Sequence, residues 1–347
     1  MQVFQYTLTA ALLVTMLNKN TAFLSPERAV TGLPGKLRPV KPGMEVEDKV
    51  LHYIGGLILR HLAQLVGNAH AVTELLEGED GDVQQVRLAT GIYPSASMMN
   101  HSCIPTIINS FTGPKLVVRA VSTVKAGMEV TNCYGPHYRR HTYVERQEML
   151  SNQYMFRCLC KACTDQKERT YLERFKAYQC KKCKGAVVNN KCEECGEAWE
   201  KVSDDQFDSF YAMIESDQDA DIETLKKAEK ILSTMLFCHN QTLARVRDRL
   251  ARAEADRGEY GAALVYLRQA METTAARFGS DSIEFGHELL KLTDVLVALH
   301  GDGGVDVKTV NIVDGLKMAA NIFGLQYGTN SKQFKEIEEK LCYFGAM

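Results

Sequence analysis

Asn100-His101-Ser102-Cys103 and, further along, Cys158-Leu159-Cys160-Lys161-Ala162-Cys163 decide the reading of this chain. The second run is a C-x-C-x-x-C array that supplies three thiolates within a short segment. A tetrahedral zinc site takes four ligands, with sulfur about 2.3 Å from the ion. Three local thiolates need one remote partner, and Cys103 is the best candidate. The metal would then clamp the Asn100-His101 segment against the chain near residue 160. Between the two lies Val130-Thr131-Asn132-Cys133-Tyr134-Gly135, a strand-like stretch that ends in a Tyr-Gly turn.

A second cysteine set follows. Cys180-Lys181-Lys182-Cys183 and Cys192-Glu193-Glu194-Cys195 pair two C-x-x-C knuckles, the spacing of a closed four-thiolate zinc ribbon. Gly185 and Gly196 fall just past the knuckles, where tight turns call for positive φ. Ala186-Val187-Val188 reads as a strand and Asn189-Asn190 as its turn. A site closed by four thiolates leaves no position open for chemistry, so its role is structural. Disulfides compete with metal as a reading of such pairs. With eight of the eleven cysteines in ligand-spaced sets, a reducing compartment is favoured, cytoplasmic or nuclear.

Taken in order, these motifs resemble the SET and MYND domain-containing lysine methyltransferases. Ile92-Tyr93-Pro94 through Asn100-His101-Ser102-Cys103-Ile104-Pro105 is similar to that family's N-H-S-C-x-P-N signature. Gly127-Met128-Glu129-Val130, then Cys133-Tyr134-Gly135-Pro136-His137, resembles its G-x-E-(apolar)…Y element, in the form nearest the fourth-member subfamily with TPR helices. Arg146, Leu150 and Tyr154-x-Phe156-x-Cys158-x-Cys160 continue the match.

The resemblance implies an S-adenosylmethionine-dependent enzyme acting on a lysine of a protein or peptide. Asn100 and His101 would line the cofactor pocket, Phe156 would stack on the adenine, and Tyr134 would sit beside the methyl-transfer channel as both catalytic and cofactor-contacting residue. Such transfer is an in-line displacement governed by positioning and electrostatics. Its nucleophile is a neutral amine, which a dry aromatic channel favours over the ammonium. Thr106 stands where the signature has Asn; it either orders the loop or weakens the cofactor segment. No G-R-G-like stretch precedes residue 50 and no cysteine precedes Cys103. The expectation is therefore a chain holding the C-terminal portion of such an enzyme. A non-catalytic adaptor on a degenerate SET scaffold is the alternative. A metallohydrolase fits poorly, because neither cysteine set offers an open metal position with a His-Glu pair.

The whole reads as α+β in four parts. Residues 1–45 form an N-terminal helix and a Pro/Gly loop; residues 46–140 form the C-terminal half of a SET domain, small β-sheets with a helical insert. Residues 141–200 hold the zinc-stapled post-SET segment and the ribbon, and residues 201–347 a TPR-like helical domain. The 347 residues suit two or three domains, and 45% hydrophobic with 24% charged residues is an ordinary globular balance. A net charge of −2 gives no basic surface for nucleic acid. The apolar stretch from Leu8 to Leu17 is too short to span a membrane and lacks the charged flank of a signal peptide.

Apolar residues at helical spacing from Val46 to Leu76 predict one or two helices, and Glu77 to Asp82 an acidic loop. Residues 106–111 and 116–121 flank Thr112-Gly113-Pro114-Lys115 as a hairpin. His141 to Gln153 predicts a helix leading into the first cysteine cluster. Leu250-Ala251-x-Ala253 with Gly258-Glu259-Tyr260, Ala263, Leu267 and Ala270 resembles a tetratricopeptide hairpin, Tyr260 filling the gap between its helices. A related unit starts at Gly286-His287, where the histidine is a packing or capping residue. Stacked pairs of this kind would present a surface to protein partners.

Overall fold

The computed structural model describes residues 48–77, 83–200, 205–216, 219–300 and 307–346. The helix expected over residues 1–24 and the acidic loop at 78–82 lie outside them. The chain divides into two compact units, residues 1–98 and 99–347.

In the first unit, α1 (Asp48–Asn68) runs into the antiparallel hairpin β1 (Ala69–Glu77) and β2 (Val83–Ile92), followed by the one-turn α2 (Pro94–Ser97). The strands pair from Ala69 with Ile92 to Glu77 with Val83, and a bulge separates Val72 from Thr73. This corrects the expectation of helix as far as Leu76. Gly67-Asn68 ends the helical stretch, and beyond it the run with Val72 and Thr73 suits a pleated surface better than a helix. The Ser97 hydroxyl donates to Asn68 O at 3.0 Å and ties α2 to the end of α1.

The second unit opens with two extended segments that bridge in parallel at His101 and Asn132. Ser102 N donates to Asn132 O at 2.9 Å and Asn132 N to Asn100 O at 2.8 Å. Thr106 extends the contact: its hydroxyl accepts from Thr131 N at 2.9 Å. A threonine therefore orders this loop where the resembled signature has asparagine. The hairpin β3 (Ile107–Thr112) and β4 (Lys115–Ala120) closes through Thr112 opposite Lys115, in the expected register with Phe111 opposite Leu116, each strand starting and ending one residue away from the expected bounds. Gly113, at φ +55°, takes the left-handed conformation in its turn.

Helix α3 (Tyr143–Tyr154) starts at a capping box in which the Thr142 hydroxyl and the Glu145 carboxylate each accept from the other's backbone N–H. It ends at Met155, which is left-handed at φ 58° and turns the chain into the cysteine cluster. The short helices α4 (Lys161–Thr164) and α5 (Gln166–Arg169) and a 3₁₀ turn at Glu173–Lys176 follow. Then come the ribbon strands β5 (Tyr178–Gln179), β6 (Ala186–Val188) and β7 (Lys191–Cys192), paired in sequence order. Asn189 and Asn190, at φ 52° and 60°, make the expected tight turn between β6 and β7.

Among the described residues seven helices follow: α6 (Asp205–Glu215), α7 (Ile222–Met235), α8 (Gln241–Asp256), α9 (Tyr260–Phe278), α10 (Ile283–His300), α11 (Val307–Gln326) and α12 (Lys332–Tyr343). From α7 onward each packs against the next, a row of helical hairpins. Two apolar cores run through it, one around Phe207, Leu232 and Leu250, the other around Leu267, Leu316 and Phe323. Tyr266 packs against both. Tyr266, in mid-helix, thus joins the two cores, and Tyr260 sits half-buried at the start of α9. His287 packs edge-on against Phe323, with ring centroids 5.1 Å apart.

The ribbon is joined to these helices through its first strand. Tyr178 forms a β-bridge with Leu236 and stacks on Trp199 at 4.6 Å. It also meets Phe207 of α6 at 5.8 Å. Gln179 donates to Ser233 O at 2.9 Å, and Phe237 N to Ala177 O at 3.1 Å. A second joint links the Tyr134 loop to the C-terminal end of α9. The Arg139 guanidinium donates to Phe278 O and the Tyr171 hydroxyl to Ala276 O. These carbonyls carry the partial negative charge of a helix C-terminus, which suits a cation there. Arg140 forks onto Glu284 of α10 at 2.8 and 3.2 Å. Among the described residues no helix is long and apolar enough to cross a membrane.

Candidate active site and metal centres

Cys103, Cys158, Cys160 and Cys163 converge as expected, their sulfurs all within 4.8 Å of one another. The Cys103 sulfur lies 4.0 Å from that of Cys158 and 3.6 Å from that of Cys163. Sulfurs about 2.3 Å from one ion in a tetrahedron stand about 3.8 Å apart, so the cradle has the size zinc requires. Cys180, Cys183, Cys192 and Cys195 form the second set, with 3.7 Å from Cys180 to Cys195 and 3.4 Å from Cys183 to Cys192. The eleven cysteines are free of disulfides in the structure, and eight of them make up the two clusters. Both clusters could hold a zinc ion.

The first cluster is enclosed and the second is exposed at Cys183 and Cys195. In the ribbon the glycine expectation holds at Gly196, φ +73°, and fails at Gly185. There Lys184 takes the left-handed position, at φ 66°. Gly185 is small for a different reason: a Cβ would meet the Glu194 side chain at 2.5 Å and the Cys192 sulfur at 3.2 Å.

The groups that surround the first cluster were not singled out as functional from the sequence. Arg146 is 1% exposed and donates to His141 O and Ala162 O, both at 2.8 Å, with the Cys163 sulfur 3.7 Å away. Gln147 donates to Cys158 O at 3.1 Å and to the Cys163 sulfur at 3.2 Å, and accepts from Cys158 N at 3.1 Å. Both side chains reach the cluster from the first turns of α3. No local sequence signal marks them, because both act on groups eleven to seventeen residues away. Outer contacts of this kind orient thiolates and offset their charge.

The predicted site residues gather on the other side of Cys103. The Tyr134 ring lies 5.3 Å from that of His101 and 4.9 Å from that of Tyr154, and Phe156 lies 6.0 Å from His101. All four pack against the apolar shell of Cys103 and Leu150 or against one another. Tyr154, which ends α3, is the aromatic that sequence reading left without a role; it donates to Tyr134 O at 3.3 Å. The Tyr134 hydroxyl donates to Met99 O at 2.7 Å. Burial, and to a lesser degree the Glu129 carboxylate, push its pKa above the ordinary phenol value, so it stays protonated at neutral pH. Burial holds His101 down to about 4, a neutral imidazole. Asn100 stands at the exposed edge, where its amide donates to Glu129 at 2.6 Å.

A SET domain model matches residues 38–135, the stretch that ends on the Tyr134-Gly135 turn. The mouse protein-lysine N-methyltransferase SMYD4 is 31% identical over 324 residues, 88% of this chain and 39% of that protein. The chain carries a SET domain and is similar over most of its length to protein-lysine N-methyltransferases of the SMYD type. Human SMYD4 is 32% identical over 262 residues, 70% of this chain and 33% of its own length. Mouse histone-lysine N-methyltransferase SMYD3 is 41% identical over 87 residues, 25% of this chain and 19% of that protein. The chain thus spans well under half the length of the SMYD4 relatives it matches.

Proposed function

We propose that this chain carries catalytic and cofactor-binding residues of a SET-type protein-lysine N-methyltransferase that uses S-adenosylmethionine. The observation that carries the reading is the half-buried aromatic group of His101, Tyr134, Tyr154 and Phe156, seated directly on the Cys103 cluster. S-adenosylmethionine, when bound, supplies an electrophilic methyl group. The chain's residues position its acceptor and exclude water.

Tyr134 is suited to orienting a lysine amine. Its proton is committed to Met99 O, which leaves the phenol lone pairs to accept from an amine N–H. Its raised pKa keeps it from acting as a base. The surrounding rings lower the polarity of the channel and favour the neutral amine over the ammonium. Phe156 presents an aromatic face for the adenine, and Asn100 an exposed amide for the cofactor's polar groups. The two thiolate clusters would each take a zinc ion with a structural role, because four sulfurs leave no open coordination position. The row of hairpins from α7 to α12 is read as a TPR-like array offered to protein substrates or partners, and a reducing compartment, cytoplasmic or nuclear, is the proposed location.

The test is titration of the zinc-loaded chain with S-adenosylmethionine by calorimetry, with Phe156→Ala as control. Micromolar binding abolished in the control supports the reading. No binding by a folded, zinc-replete chain would leave the adaptor alternative. In a protein active on a lysine peptide, Tyr134→Phe should cut transfer sharply with zinc content unchanged, and unaltered turnover would remove Tyr134 from the mechanism.

A further inference from the structure

We propose that His101 is a positioning residue whose two ring nitrogens tie the backbone of Tyr134 to the metal-binding thiolate of Cys103. Nδ1 lies 3.1 Å from Tyr134 N, and Nε2 lies 3.4 Å from the Cys103 sulfur. A backbone N–H can only donate, so Nδ1 must carry the lone pair. The ring proton of the neutral imidazole is then on Nε2, aimed at sulfur. The result is a relay of two hydrogen bonds, from Tyr134 N–H to Nδ1 and from Nε2–H to the thiolate.

The backbone enforces this arrangement. In an extended segment, residues i and i+2 point to one side, so His101 and Cys103 share a face. The parallel bridge at His101 and Asn132, with the bonds between Ser102 and Asn132 and between Asn132 and Asn100, holds that face against the strand that delivers Tyr134 two residues later. Tyr138 N also donates to Cys103 O at 3.2 Å, closing the loop from its far end. With both nitrogens engaged, the His101 ring has no polar atom left for a cofactor. It differs from the expected pocket-lining role in this respect: the imidazole works on the protein side, between metal site and tyrosine.

The zinc site and the tyrosine are therefore mechanically linked. An ion that fixes the Cys103 sulfur fixes Nε2, and through the rigid ring it fixes the Tyr134 amide. Only the consequence for methyl transfer rests on the enzymatic reading above; the relay itself is measured without turnover.

Three substitutions separate its two halves. His101→Phe removes both bonds. His101→Asn keeps an acceptor near the Nδ1 position and loses the donor to sulfur. His101→Gln places an amide N–H near Nε2 and loses the acceptor for Tyr134. The full-length chain is loaded with cobalt(II) in place of zinc, and the thiolate-to-cobalt charge-transfer absorption is recorded. Removing an N–H···S bond raises the energy of the sulfur lone pairs, so the band should move to lower energy in the Phe and Asn variants and stay in place in Gln.

Amide hydrogen exchange at Tyr134 is measured in parallel. Exchange should quicken about fivefold or more in the Phe and Gln variants, the scale of one lost neutral hydrogen bond. In the wild-type chain, stripping the metal with a chelator should quicken it as well. An unchanged charge-transfer band in both Phe and Asn variants, or a Tyr134 amide indifferent to metal removal, would overturn the proposal. If the Phe variant does not fold, the opposite responses of Asn and Gln still decide it. Loss of S-adenosylmethionine binding with the relay intact would count against the enzymatic reading alone.

Discussion

Arg146→Met should weaken zinc binding at the first cluster and leave the ribbon site untouched. Four thiolates around a divalent ion leave net negative charge, and the Arg146 guanidinium lies 3.7 Å from the Cys163 sulfur with 1% exposure. It also holds His141 O and Ala162 O at 2.8 Å. Methionine fills much of the same volume but supplies neither charge nor donors. Each charge-assisted bond is worth about 1.5–3 kcal/mol, and the stranded carbonyls add to the cost. The part specific to metal is the outer-shell effect, about 10–100-fold in affinity, or about 1.4–2.7 kcal/mol. Competition for zinc against a chromogenic chelator reads this directly. The ribbon serves as an internal reference, since its candidate ligands are Cys180, Cys183, Cys192 and Cys195 and Arg146 bonds none of them. Arg146→Lys should fall between, because lysine keeps the charge without the planar fork. A folded Met variant whose first site binds zinc within twofold of wild type would refute the charge-offset role.

Other outcomes follow from the packing and the joints. Gly279→Ala should lower stability by about 1–3 kcal/mol, read as a drop in Tm, because the position has φ +92° and a Cβ would collide with the Arg139 guanidinium. Gly113→Ala, at positive φ in open space, should cost less. Phe207→Ala should cost about 3–5 kcal/mol in denaturant unfolding, since the ring is 1% exposed at the foot of the helical core. His137 is held down to about 4 from 6.5, mainly by burial and then by Arg140 and Arg139. A base depressed in the folded state stabilises above its unfolded pKa and loses that contribution as pH falls from 6.5 through about 4. Allowing for its partial exposure, about 1 kcal/mol should disappear between pH 7 and pH 5. Comparing wild type with His137→Gln by denaturant unfolding at the two pH values checks the sign; an equal loss in both would exclude His137 as the source.

The two thiolate clusters were legible because cysteine spacing is a local code: each knuckle declares itself within a few residues, and only Cys103 had to be assigned across a long gap. The β3–β4 hairpin and the Asn189-Asn190 turn were legible for the same reason, since turn chemistry is short-range. Residues 69–76 were misread because a short apolar run satisfies helical and strand spacing alike, and the strand wins only when Val83–Ile92 is present to pair with it. Tyr154, Gln147 and the second bond of His101 were hidden because each acts on a group far away in sequence. Gly185 shows a subtler limit. Its smallness was read as backbone freedom, whereas the requirement comes from Glu194 and Cys192 packing across the ribbon.

The bridge from Tyr178 to Leu236 has a consequence for how this chain can be dissected. One tyrosine serves as a ribbon strand residue, a stacking partner for Trp199 and a contact of Phe207 in the first helix beyond. The ribbon is thus not a bead on a string that could be excised, transplanted or swapped. Its folding is thermodynamically shared with the helices behind it, so a chelator strong enough to empty the Cys180–Cys195 cradle should loosen helical hairpins that touch no metal.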